Sequence, residues 1–457
     1  MSNLPELTNP FAVCPGVPLP RFAHVWKNAL RIVDKSLLRE WLNRFRSGKV
    51  GGAVIGAGWM GTVVAARYAA LGIPVCLVDT NKDACQQALV RIGGLLPHLG
   101  VVPSPPSFES LASRIRFVDD LSDLPPVLFV AEFVTESIAR KRRVLAELEA
   151  VLPPATPIIS GSSAIPVAFL AACLRHPERL VNCHFFHPLY PFEGRRPAEL
   201  VVSGKTLPDA IAAGIVHILC QRCVPVLVPD EPGFLANRLL FAYLRMAVRL
   251  LAWGVSPGNL ESSTSFLGNW WQPLRRLDEI GLDTALRVGR LMAEPTTGAV
   301  HLPAHDWELL AEWVARGHTG RKVGRGFYLY GVGQEKAPEL IADFEAYLCL
   351  RRPTKPVTPA FVVAALVLAL AGEAESLLTK WGWEVLDVVD FLASGGLRLP
   401  RWTGGLTRWL TYLEPGTALP LFQQVMEEGL CEEKAVPSWE KLRASRWGKA
   451  VVDRHGC

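Results

Sequence analysis

The spacing of hydrophobic residues divides the chain into three stretches. Apolar residues recur at helical spacing between charges over residues 21–46, which predicts one or two amphipathic helices packed on another element. From residue 52, short runs that are apolar on both faces alternate with helical patterns. This alternation indicates a parallel sheet covered by helices on both sides. After Gly233 the strand signals stop and helical patterns continue.

The middle stretch contains seven runs that are predicted as strands. They are Gly52–Ile55, Pro74–Val78, Ile115–Phe117, Val127–Val130, Ile158–Ile159, Leu180–Asn182 and Val224–Val228. Helices are predicted over Thr62–Leu71, Lys141–Leu152, Pro208–Cys220, 234–254, 274–293 and from Ala360 onwards.

The helical region contains two similar blocks. Each has a long apolar helix ending near Trp-Gly, then a short helix, a Gly-rich turn, a proline and an Arg-rich apolar helix. The two Trp-Gly pairs, Trp253-Gly254 and Trp381-Gly382, lie about 130 residues apart. This predicts a duplication of one helical domain, since a solenoid would need more and shorter repeats. The predicted domains are an N-terminal extension with amphipathic helices over 1–49, an α/β domain over 50–230, and helical copies over 231–335 and 350–457.

The composition is that of a globular protein, and several classes of protein are not expected from the sequence. Of the 457 residues, 50% are hydrophobic and 20% charged, and the net charge is +5. The densest basic run, Arg140–Arg143, is typical of a solvated helix face, so no nucleic-acid partner is predicted. The N-terminus lacks a secretory signal pattern, and the longest apolar helical run, Ala360–Ala371, is too short for a bilayer. We expect a soluble, cytoplasmic protein without membrane insertion.

The ten cysteines have irregular spacing and indicate no disulfide framework. Cys220 and Cys223 form a CxxC motif, but no second Cys pair or zinc-finger His follows it. Small core residues are therefore favoured over a redox or metal site, and no metal is predicted.

A glycine-rich turn joins the first strand to the first helix of the α/β stretch. Residues 56–61 read Gly-Ala-Gly-Trp-Met-Gly, and Asp79 ends the next strand 18 positions after the last glycine. The first glycine permits the tight turn, the second lets the backbone approach a pyrophosphate, and the third lets helix and strand pack closely. The helix N-terminus attracts phosphates. The predicted cofactor-binding residues are Gly56, Gly58, Trp59, Met60, Gly61 and Asp79.

The acid at the end of the second strand favours NAD as the cofactor. The Asp79 carboxylate can accept hydrogen bonds from both ribose hydroxyls and would repel a 2′-phosphate. No arginine directly follows it. A glycine turn that binds nothing and an FAD site are the alternatives.

Oxidation of an alcohol needs a base that takes the hydroxyl proton near neutral pH, and histidine is the usual choice. His184 lies at the end of an apolar strand, within the sequence VNCHFFHP of Val181–Pro188. The carboxyl edge of an α/β sheet is where ligands bind. The residue pattern alone leaves two interpretations open, a catalytic base and a packed histidine at a strand end.

Several segments resemble the L-3-hydroxyacyl-CoA dehydrogenase family, from about Val50 to the end of the chain. His184–Pro188 is similar to the family segment HFFNP, whose histidine is the general base. Further segments match in the same order: Val134–Ile138 with Lys141, Ile159–Ser163, Ala198–Val202, Asp230–Arg238, Leu277–Thr284 and Gly320–Tyr328. The last two resemble multifunctional β-oxidation members, which usually carry an enoyl-CoA hydratase half. Residues 1–49 have no room for one, so the chain resembles the dehydrogenase half standing alone.

The resemblance implies a role for each matching residue. It places a catalytic set at His184, Glu199, Ser163 and Asn237, and it adds Glu136 and Lys141 to the cofactor-binding residues. The histidine would take the C3 hydroxyl proton and the glutamate would hold its ring. The serine and the asparagine would hydrogen-bond the reacting oxygen or the thioester carbonyl. By residue pattern alone, these two could also be a turn residue and a helix cap.

The chain departs from the family pattern at several positions. His187 replaces the Asn of HFFNP, and Gly161 replaces the Asn of an SNTS turn. Trp270 and Trp271 replace a small, Gly-rich approach to a proline, and Glu193–Arg196 is an insertion. These departures imply a reshaped pocket and a substrate that differs from ordinary fatty acyl-CoA. The region Lys82–Ser107 is too unlike the family to map CoA-binding residues.

We therefore expect a Rossmann-type NAD-binding domain followed by two tandem, duplicated all-α domains. The expected reaction is NAD-dependent oxidation of L-3-hydroxyacyl-CoA to 3-ketoacyl-CoA, or its reverse, in fatty acid metabolism. The expected partners are the acyl-CoA substrate and other β-oxidation enzymes, for a monomer or a homodimer. Two alternatives stay open: a hydroxyacid or sugar-acid dehydrogenase without CoA, and a non-catalytic nucleotide-binding subunit of a β-oxidation complex.

Overall fold

The chain folds as two compact units, Met1–Asp230 and Glu231–Cys457. The computed structural model describes residues 32–98, 107–186, 196–293, 307–331, 339–340, 357–382, 385–413, 415–431 and 435–444. The predicted helical pattern before residue 32 and the insertion residues Glu193–Arg195 lie outside these described residues. The first unit contains a large sheet with helices, and the second is mainly helical.

The first unit has eight strands in one sheet. They are β1 (Gly52–Ile55), β2 (Val75–Val78), β3 (Ile115–Val118), β4 (Val130–Glu132), β5 (Ile158–Ser160), β6 (Leu180–Phe185), β7 (Arg196–Val201) and β8 (Cys223–Val228). The helices of four or more residues described here are α1 (Lys35–Ser47), α2 (Trp59–Ala70), α3 (Lys82–Leu95), α4 (Phe108–Ala112), α5 (Ile138–Val151), α6 (Val167–Ala171) and α7 (Pro208–Cys220).

The strand order is β3-β2-β1-β4-β5-β6-β7-β8. Its first six strands reproduce the 3-2-1-4-5-6 order of the Rossmann fold, in which ligands bind where the order reverses, here between β1 and β4. Every residue of β1, β2, β4, β5 and β6 is buried, because both faces of the sheet are covered. The predicted α/β architecture is confirmed.

One pair of strands departs from the parallel arrangement that was predicted for the sheet. β6 and β7 are antiparallel, whereas β7 and β8 are parallel to each other. The connection runs from Phe185 to Arg196. A parallel crossover needs about a dozen residues or more, usually with a helix, so this short connection favours the antiparallel arrangement.

The predicted amphipathic helix before the sheet is α1, which packs inside the first unit. The Asp34 side chain caps it by accepting from Ser36 N, and Gly48, at φ 58°, ends it. Its buried residues are Leu38, Trp41, Leu42 and Phe45. The Phe45 ring stacks on Phe129 at 4.9 Å between centroids. The apolar face therefore completes the core beside β4.

Several element boundaries differ from the prediction. α2 begins at Trp59 rather than Thr62, so its first turn lies inside the glycine motif. β4 covers Val130–Glu132 rather than Val127–Val130, although Leu128 N donates to Gly51 O at 2.8 Å and continues the pairing. Pro125 and Pro126 precede this segment and lack backbone donors, which delays the ladder.

The second unit consists mainly of helices. Its described α-helices are α8 (Ala236–Trp253), α9 (Pro257–Thr264), α10 (Pro273–Ile280), α11 (Leu282–Ala293), α12 (Glu308–Ala315), α13 (Pro359–Trp381), α14 (Leu386–Phe391), α15 (Leu406–Tyr412), α16 (Pro415–Glu427) and α17 (Ala435–Ala444). The predicted helix 274–293 is two helices, because Gly281 adopts φ 92° and breaks it. A small antiparallel sheet of Tyr328–Leu329 and Glu339–Leu340 was not predicted.

The helix predicted from Ala360 is longer than the apolar run suggested. α13 has 23 residues and, by length and composition alone, could cross a membrane. However, 72% of its most apolar window is buried inside the protein, as in the core helix of a globular protein. Past Ala371 the helix carries two paired carboxylates, Glu373 with Arg238 and Glu375 with Lys441.

Candidate active site

The glycine-rich turn after β1 has the geometry that a dinucleotide needs. Gly56 adopts φ 102°, and a Cβ there would lie 2.8 Å from Phe133 O. A Cβ on Gly61 would lie 1.9 Å from Gly56 O, so turn and helix are in direct contact. At Gly58, by contrast, no atom lies within 4 Å of the Cβ position. Gly58 is the N-cap of α2, so this open space faces backbone N–H groups that can bind a pyrophosphate.

Asp79 lies at the end of β2 and is tied to the same turn. Its Oδ2 accepts from Ala57 N at 2.8 Å and its Oδ1 accepts from Asn81 N at 2.9 Å. Each carboxylate oxygen has a second lone pair for a ribose hydroxyl. Asp79 also lines a cavity of about 330 Å³ together with Lys82, Cys85, Gln86, Leu89, Phe117, Val118 and Asp119. The walls of this cavity are mainly apolar, as in many small-molecule sites.

Arg91 is a residue of this region that the sequence motifs missed. Its guanidinium donates to Ala57 O at 3.1 Å and to Gln87 Oε1 at 3.0 Å. It therefore supports the turn from α3. Its position, 30 residues after the last glycine, carries no motif signal.

Lys141 and Glu136, both predicted to contact the cofactor, take part in an ion-pair network after β4. Lys141 is fully buried, and its Nζ lies 2.9 and 3.1 Å from the two carboxylate oxygens of Glu132 and 3.6 Å from Glu136 Oε2. Ser160 Oγ also donates to Glu132, at 3.0 Å. Glu132, the buried acid at the end of β4, is part of no motif that predicts its role. A direct contact of Lys141 with the cofactor stays a prediction.

Glu136 holds the turn that carries Ser163. Its Oε1 accepts from Ser162 Oγ at 2.6 Å, from Ser163 N at 2.9 Å and from Ala164 N at 3.0 Å. Asn182, on β6, donates to Ser162 O at 3.2 Å. The turn after β5 is thus fixed between the loop after β4 and strand β6, next to the carboxyl edge of the sheet.

The presence of glycine at position 161, in place of the family's asparagine, has a steric explanation. A Cβ at this position would lie 2.3 Å from two atoms of the Phe133 ring and 3.1 Å from Glu132 O. Phe133 therefore occupies the space in which the family's asparagine side chain would begin. The departure at Gly161 is coupled to a bulky residue on the neighbouring loop.

His184 and Glu199 form a hydrogen-bonded pair across the antiparallel strands β6 and β7. The strand register places them directly opposite each other. His184 Nδ1 and Glu199 Oε2 are 2.6 Å apart. The His184 residue is 6% exposed and Glu199 is fully buried. The Phe186 ring meets the imidazole edge-on at 5.0 Å. The predicted pairing of these two residues agrees with this geometry.

His184 is on β6, the strand that pairs with β5, and the turn of Ser162 and Ser163 follows β5. β5 and β6 are parallel, with Ser160 opposite Asn182, so the chain after β5 continues beside His184. β1, β4, β5 and β6 all end at this edge of the sheet. The glycine turn, the serine turn and the His–Glu pair therefore share the edge at which α/β proteins bind ligands.

Asn237, the fourth member of the predicted catalytic set, belongs to the second unit. It is the second residue of α8. Asp230, at the end of the first unit, accepts from Val167 N at 2.5 Å and from Ala168 N at 2.8 Å. Asp230 therefore caps α6 within its own unit, a function that its place in the boundary segment did not reveal.

Trp270 and Trp271, which differ from the family pattern, are both packed within the second unit. Trp271 is 2% exposed, and the Tyr243 ring meets it edge-on at 5.0 Å. The Trp270 ring is covered by the guanidinium groups of Arg276, at 3.2 Å, and Arg398, at 4.6 Å. Their effect on a substrate pocket stays a prediction, and His187 lies outside the described residues.

The CxxC cysteines are in the core. Cys220 and Cys223 are buried free thiols, and burial raises the pKa of Cys223 to about 12. Burial raises the pKa of Cys220 further. Such thiols are poor nucleophiles and metal ligands. Within the described part of the chain, no group of three or more His, Cys, Asp or Glu side chains could hold a metal ion.

Comparison with known proteins shows similarity over most of the chain. The chain is 28% identical over 400 residues to the fatty acid oxidation complex subunit alpha of Psychrobacter arcticus, covering 86% of this chain and 54% of the relative. The Pseudomonas aeruginosa protein of the same name is 28% identical over 385 residues, covering 82% and 53%. The chain thus spans about half the length of the curated relatives it matches.

Solved structures show the same similarity. The (S)-3-hydroxybutyryl-CoA dehydrogenase of Ralstonia eutropha is 29% identical, with a TM-score of 0.53, and covers 62% of this chain and 99% of its own. The 3-hydroxybutyryl-CoA dehydrogenase of Escherichia coli is 22% identical, with a TM-score of 0.66 over 88% of this chain and 99% of its own. The second match extends the shared fold into the second helical block.

Two family models match consecutive parts of the chain. The NAD binding domain of 3-hydroxyacyl-CoA dehydrogenase matches residues 52–231, and the C-terminal domain matches residues 233–330. The first match confirms NAD as the predicted cofactor, in agreement with the open glycine turn and the Asp79 carboxylate. Together the two matches cover more than half of the 457 residues, and the chain belongs to the 3-hydroxyacyl-CoA dehydrogenase family.

Proposed function

We propose that this protein catalyses NAD-dependent oxidation of an L-3-hydroxyacyl-CoA to the 3-ketoacyl-CoA, and the reverse reaction. The observation that carries the proposal is the hydrogen bond between His184 and Glu199 at the carboxyl edge of an NAD-binding sheet. NAD, when bound, supplies the hydride acceptor. The residues of the chain supply the rest: a proton acceptor, its orientation and contacts that place the substrate.

The proton acceptor in this proposal is His184. With Glu199 as a carboxylate, which can only accept, Nδ1 carries a proton and donates it to Glu199 at 2.6 Å. In this tautomer Nε2 is the basic nitrogen of the ring, and we assign it to take the C3 hydroxyl proton. The buried carboxylate also stabilises the imidazolium that forms, because the two charges face each other in a site with little water.

Two further residues are proposed to place the substrate. Ser163 lies on the turn held by Glu136, so its position is set by three hydrogen bonds to one carboxylate oxygen. Asn237 lies in the first turn of α8. We assign both to the reacting oxygen or the thioester carbonyl, where a rigid donor lowers the entropic cost of the reaction.

The first experiment is the oxidation of NADH on addition of acetoacetyl-CoA to the purified protein. We expect activity in the wild type and a loss of about 10²- to 10⁴-fold in His184→Ala, the range that a positioned base contributes. NADH binding should persist in the variant. Near-full activity of His184→Ala would contradict the proposed mechanism.

The same assay tests the substrate class. Free 3-hydroxy acids and their CoA thioesters should be compared at equal concentration, with NAD as oxidant. We expect turnover of the thioesters only. Turnover of free acids alone would favour a hydroxyacid or sugar-acid dehydrogenase. NADH binding without turnover of either would favour a non-catalytic nucleotide-binding subunit.

We also infer that the two helical blocks, 231–335 and 350–457, are copies of one domain. The described parts share a sequence of elements: a long helix ending at Trp-Gly (α8, α13), a short helix (α9, α14) and a following helix (α10, α15). In both blocks, a buried acid of the short helix accepts from the N–H of the second residue of the following helix. The bonds are Leu274 N to Glu261 Oε1 at 2.6 Å and Thr407 N to Asp390 Oδ1 at 2.6 Å.

Association with other β-oxidation enzymes is proposed from the relatives, which are named as subunits of a fatty acid oxidation complex. Co-purification of the tagged chain from its own cells, with identification of captured proteins by mass spectrometry, tests it. Recovery of other β-oxidation enzymes would support the proposal, and recovery of the chain alone would contradict it.

A further inference from the structure

The backbone that leads to Asn237 is a strained turn. Gly233 and Phe234 both have positive φ angles, 76° and 52°. Phe234 is fully buried, and its N–H donates to Glu231 O at 2.9 Å. A bulky residue in the left-handed region is unfavourable and persists only where its surroundings hold it in place. The position of Asn237 therefore depends on what holds this turn.

Arg238 holds the helical end of the turn. It follows Asn237 in the first turn of α8 and is 4% exposed. Its Nε donates to Glu373 Oε1 at 2.5 Å, and its Nη1 donates to Glu231 Oε2 at 2.9 Å. Glu373 lies on α13, the long helix of the second helical block. A carboxylate distant by 135 positions in sequence thus binds the residue beside Asn237.

The C-terminal part of α13 holds the other end of the turn. Lys380 Nζ lies 2.5 Å from Glu231 Oε1, and Trp381 Nε1 donates to the same oxygen at 3.4 Å. The Trp381 ring also lies 5.6 Å from the guanidinium carbon of Arg238. Residue 373 lies about two turns before residues 380 and 381 on the same helix. Together the three residues contact the segment 231–238 at both ends. We call this arrangement the α13 clamp.

We propose that Glu373 is a positioning residue for the dehydrogenase reaction, acting through Arg238 on Asn237. The second helical block thereby contributes to the active site without touching substrate. This inference rests on the proposed function, because it assigns Asn237 to substrate placement.

The physical reason is the cost of a buried charge that loses one of its two partners. Without Glu373, the guanidinium of Arg238 keeps one carboxylate partner in an environment that excludes water. It then moves toward solvent or draws Glu231 with it, and either movement releases the strained turn. A displacement of about 1 Å at a positioning group can cost about 10²-fold in rate.

The test measures kcat and KM for acetoacetyl-CoA with NADH in Glu373→Ala and Glu373→Gln. We expect kcat to fall about tenfold or more in the alanine variant and less in the glutamine variant, which keeps an acceptor. The NADH Kd should stay unchanged, because the NAD binding domain is residues 52–231. Glu375→Gln is the matched control, since Glu375 lies on the same helix and pairs with Lys441 at 2.9 Å. It should keep wild-type kcat.

A double-mutant cycle separates positioning from stability. If Glu373 acts through Asn237, adding Glu373→Gln to Asn237→Ala should lower kcat no further. A purely structural role of Glu373 would lower the unfolding temperature and leave kcat of the folded enzyme unchanged. The effects of the two substitutions on the free energy of unfolding would then be additive. This result would overturn the inference.

Lys380→Gln tests the clamp at a second position. The Lys380 side chain is 41% exposed, and its loss leaves the Arg238–Glu373 pair intact. We expect a smaller fall in kcat that also disappears in the Asn237→Ala background. Absence of activity in the wild type and in Glu375→Gln would refute the proposed function instead. Active wild type with unchanged kcat in all three clamp variants would refute the clamp alone.

Discussion

At the scale of single residues, His184 and Glu199 depend on each other through one hydrogen bond. Glu199→Gln keeps the size of the side chain and removes the charge that holds the imidazole tautomer. We expect kcat to fall about 10- to 100-fold, as for other residues that orient a catalytic or ligating histidine. Glu178→Gln is the control, because Glu178 pairs with His176 at 3.2 Å on the surface. Equal kcat in both variants would contradict the role of Glu199.

The glycines of the turn after β1 offer a second residue-scale prediction. Gly58→Ala places a methyl group in open space at an ordinary φ of −66°, so the free energy of unfolding should change by less than about 0.5 kcal/mol. The methyl group faces the expected pyrophosphate, and the NADH Kd should rise roughly tenfold or more, about 1.4 kcal/mol.

Gly61→Ala serves as its counterpart. A Cβ at 1.9 Å from Gly56 O collides with backbone, so we expect destabilisation of about 3 kcal/mol or more. Thermal unfolding and NADH fluorescence titration check both variants. Unchanged NADH binding in Gly58→Ala would argue against a phosphate at this turn.

At the scale of elements, the second unit buries two acids that cap helices. Burial raises the pKa of Asp390 from 3.8 to about 7 and that of Glu261 from 4.5 to about 7. The folded state therefore keeps protons that the unfolded chain releases at lower pH. The stability from each protonated acid is complete below its unfolded pKa and is lost as the pH rises to about 7.

Asp390→Asn and Glu261→Gln replace these acids with side chains that accept hydrogen bonds and do not ionise. Relative to the wild type, each variant should gain unfolding free energy on the order of a few kcal/mol between pH 4 and pH 8. Urea unfolding across this range measures it. If this gain in unfolding free energy depends on pH in the same way in both variants, the result would support the duplication. If the difference in unfolding free energy between variant and wild type stays constant with pH, the proposed titration would be excluded.

At the scale of the whole molecule, the two helical blocks lie in one compact unit and share buried contacts. Arg238 of the first block pairs with Glu373 of the second inside the protein. If the second block is a copy of the first, as proposed, it can fill within one chain the place that a partner's domain takes in a dimer. We therefore expect sedimentation to give the mass of one chain, 50.1 kDa. Twice that mass would contradict this expectation.

Much of the first unit was predictable because its signals are local. Short apolar runs, the glycine turn and Asp79 follow one another within 30 residues, and backbone sterics leave few conformations for such a sequence. His184 and Glu199 were predicted from segments that resemble a family. Their contact depends on the antiparallel pairing of β6 and β7, which the alternation of strands and helices did not predict.

The sequence by itself determined the α/β domain, the NAD site and the helical character of the rest, because hydrophobic periodicity and glycine geometry act over a few neighbouring residues. Only the tertiary structure decided which distant side chains meet. Examples are Phe133 against Gly161 and Glu373 with Arg238. Such contacts depend on packing between elements far apart in the chain, for which local patterns carry no signal.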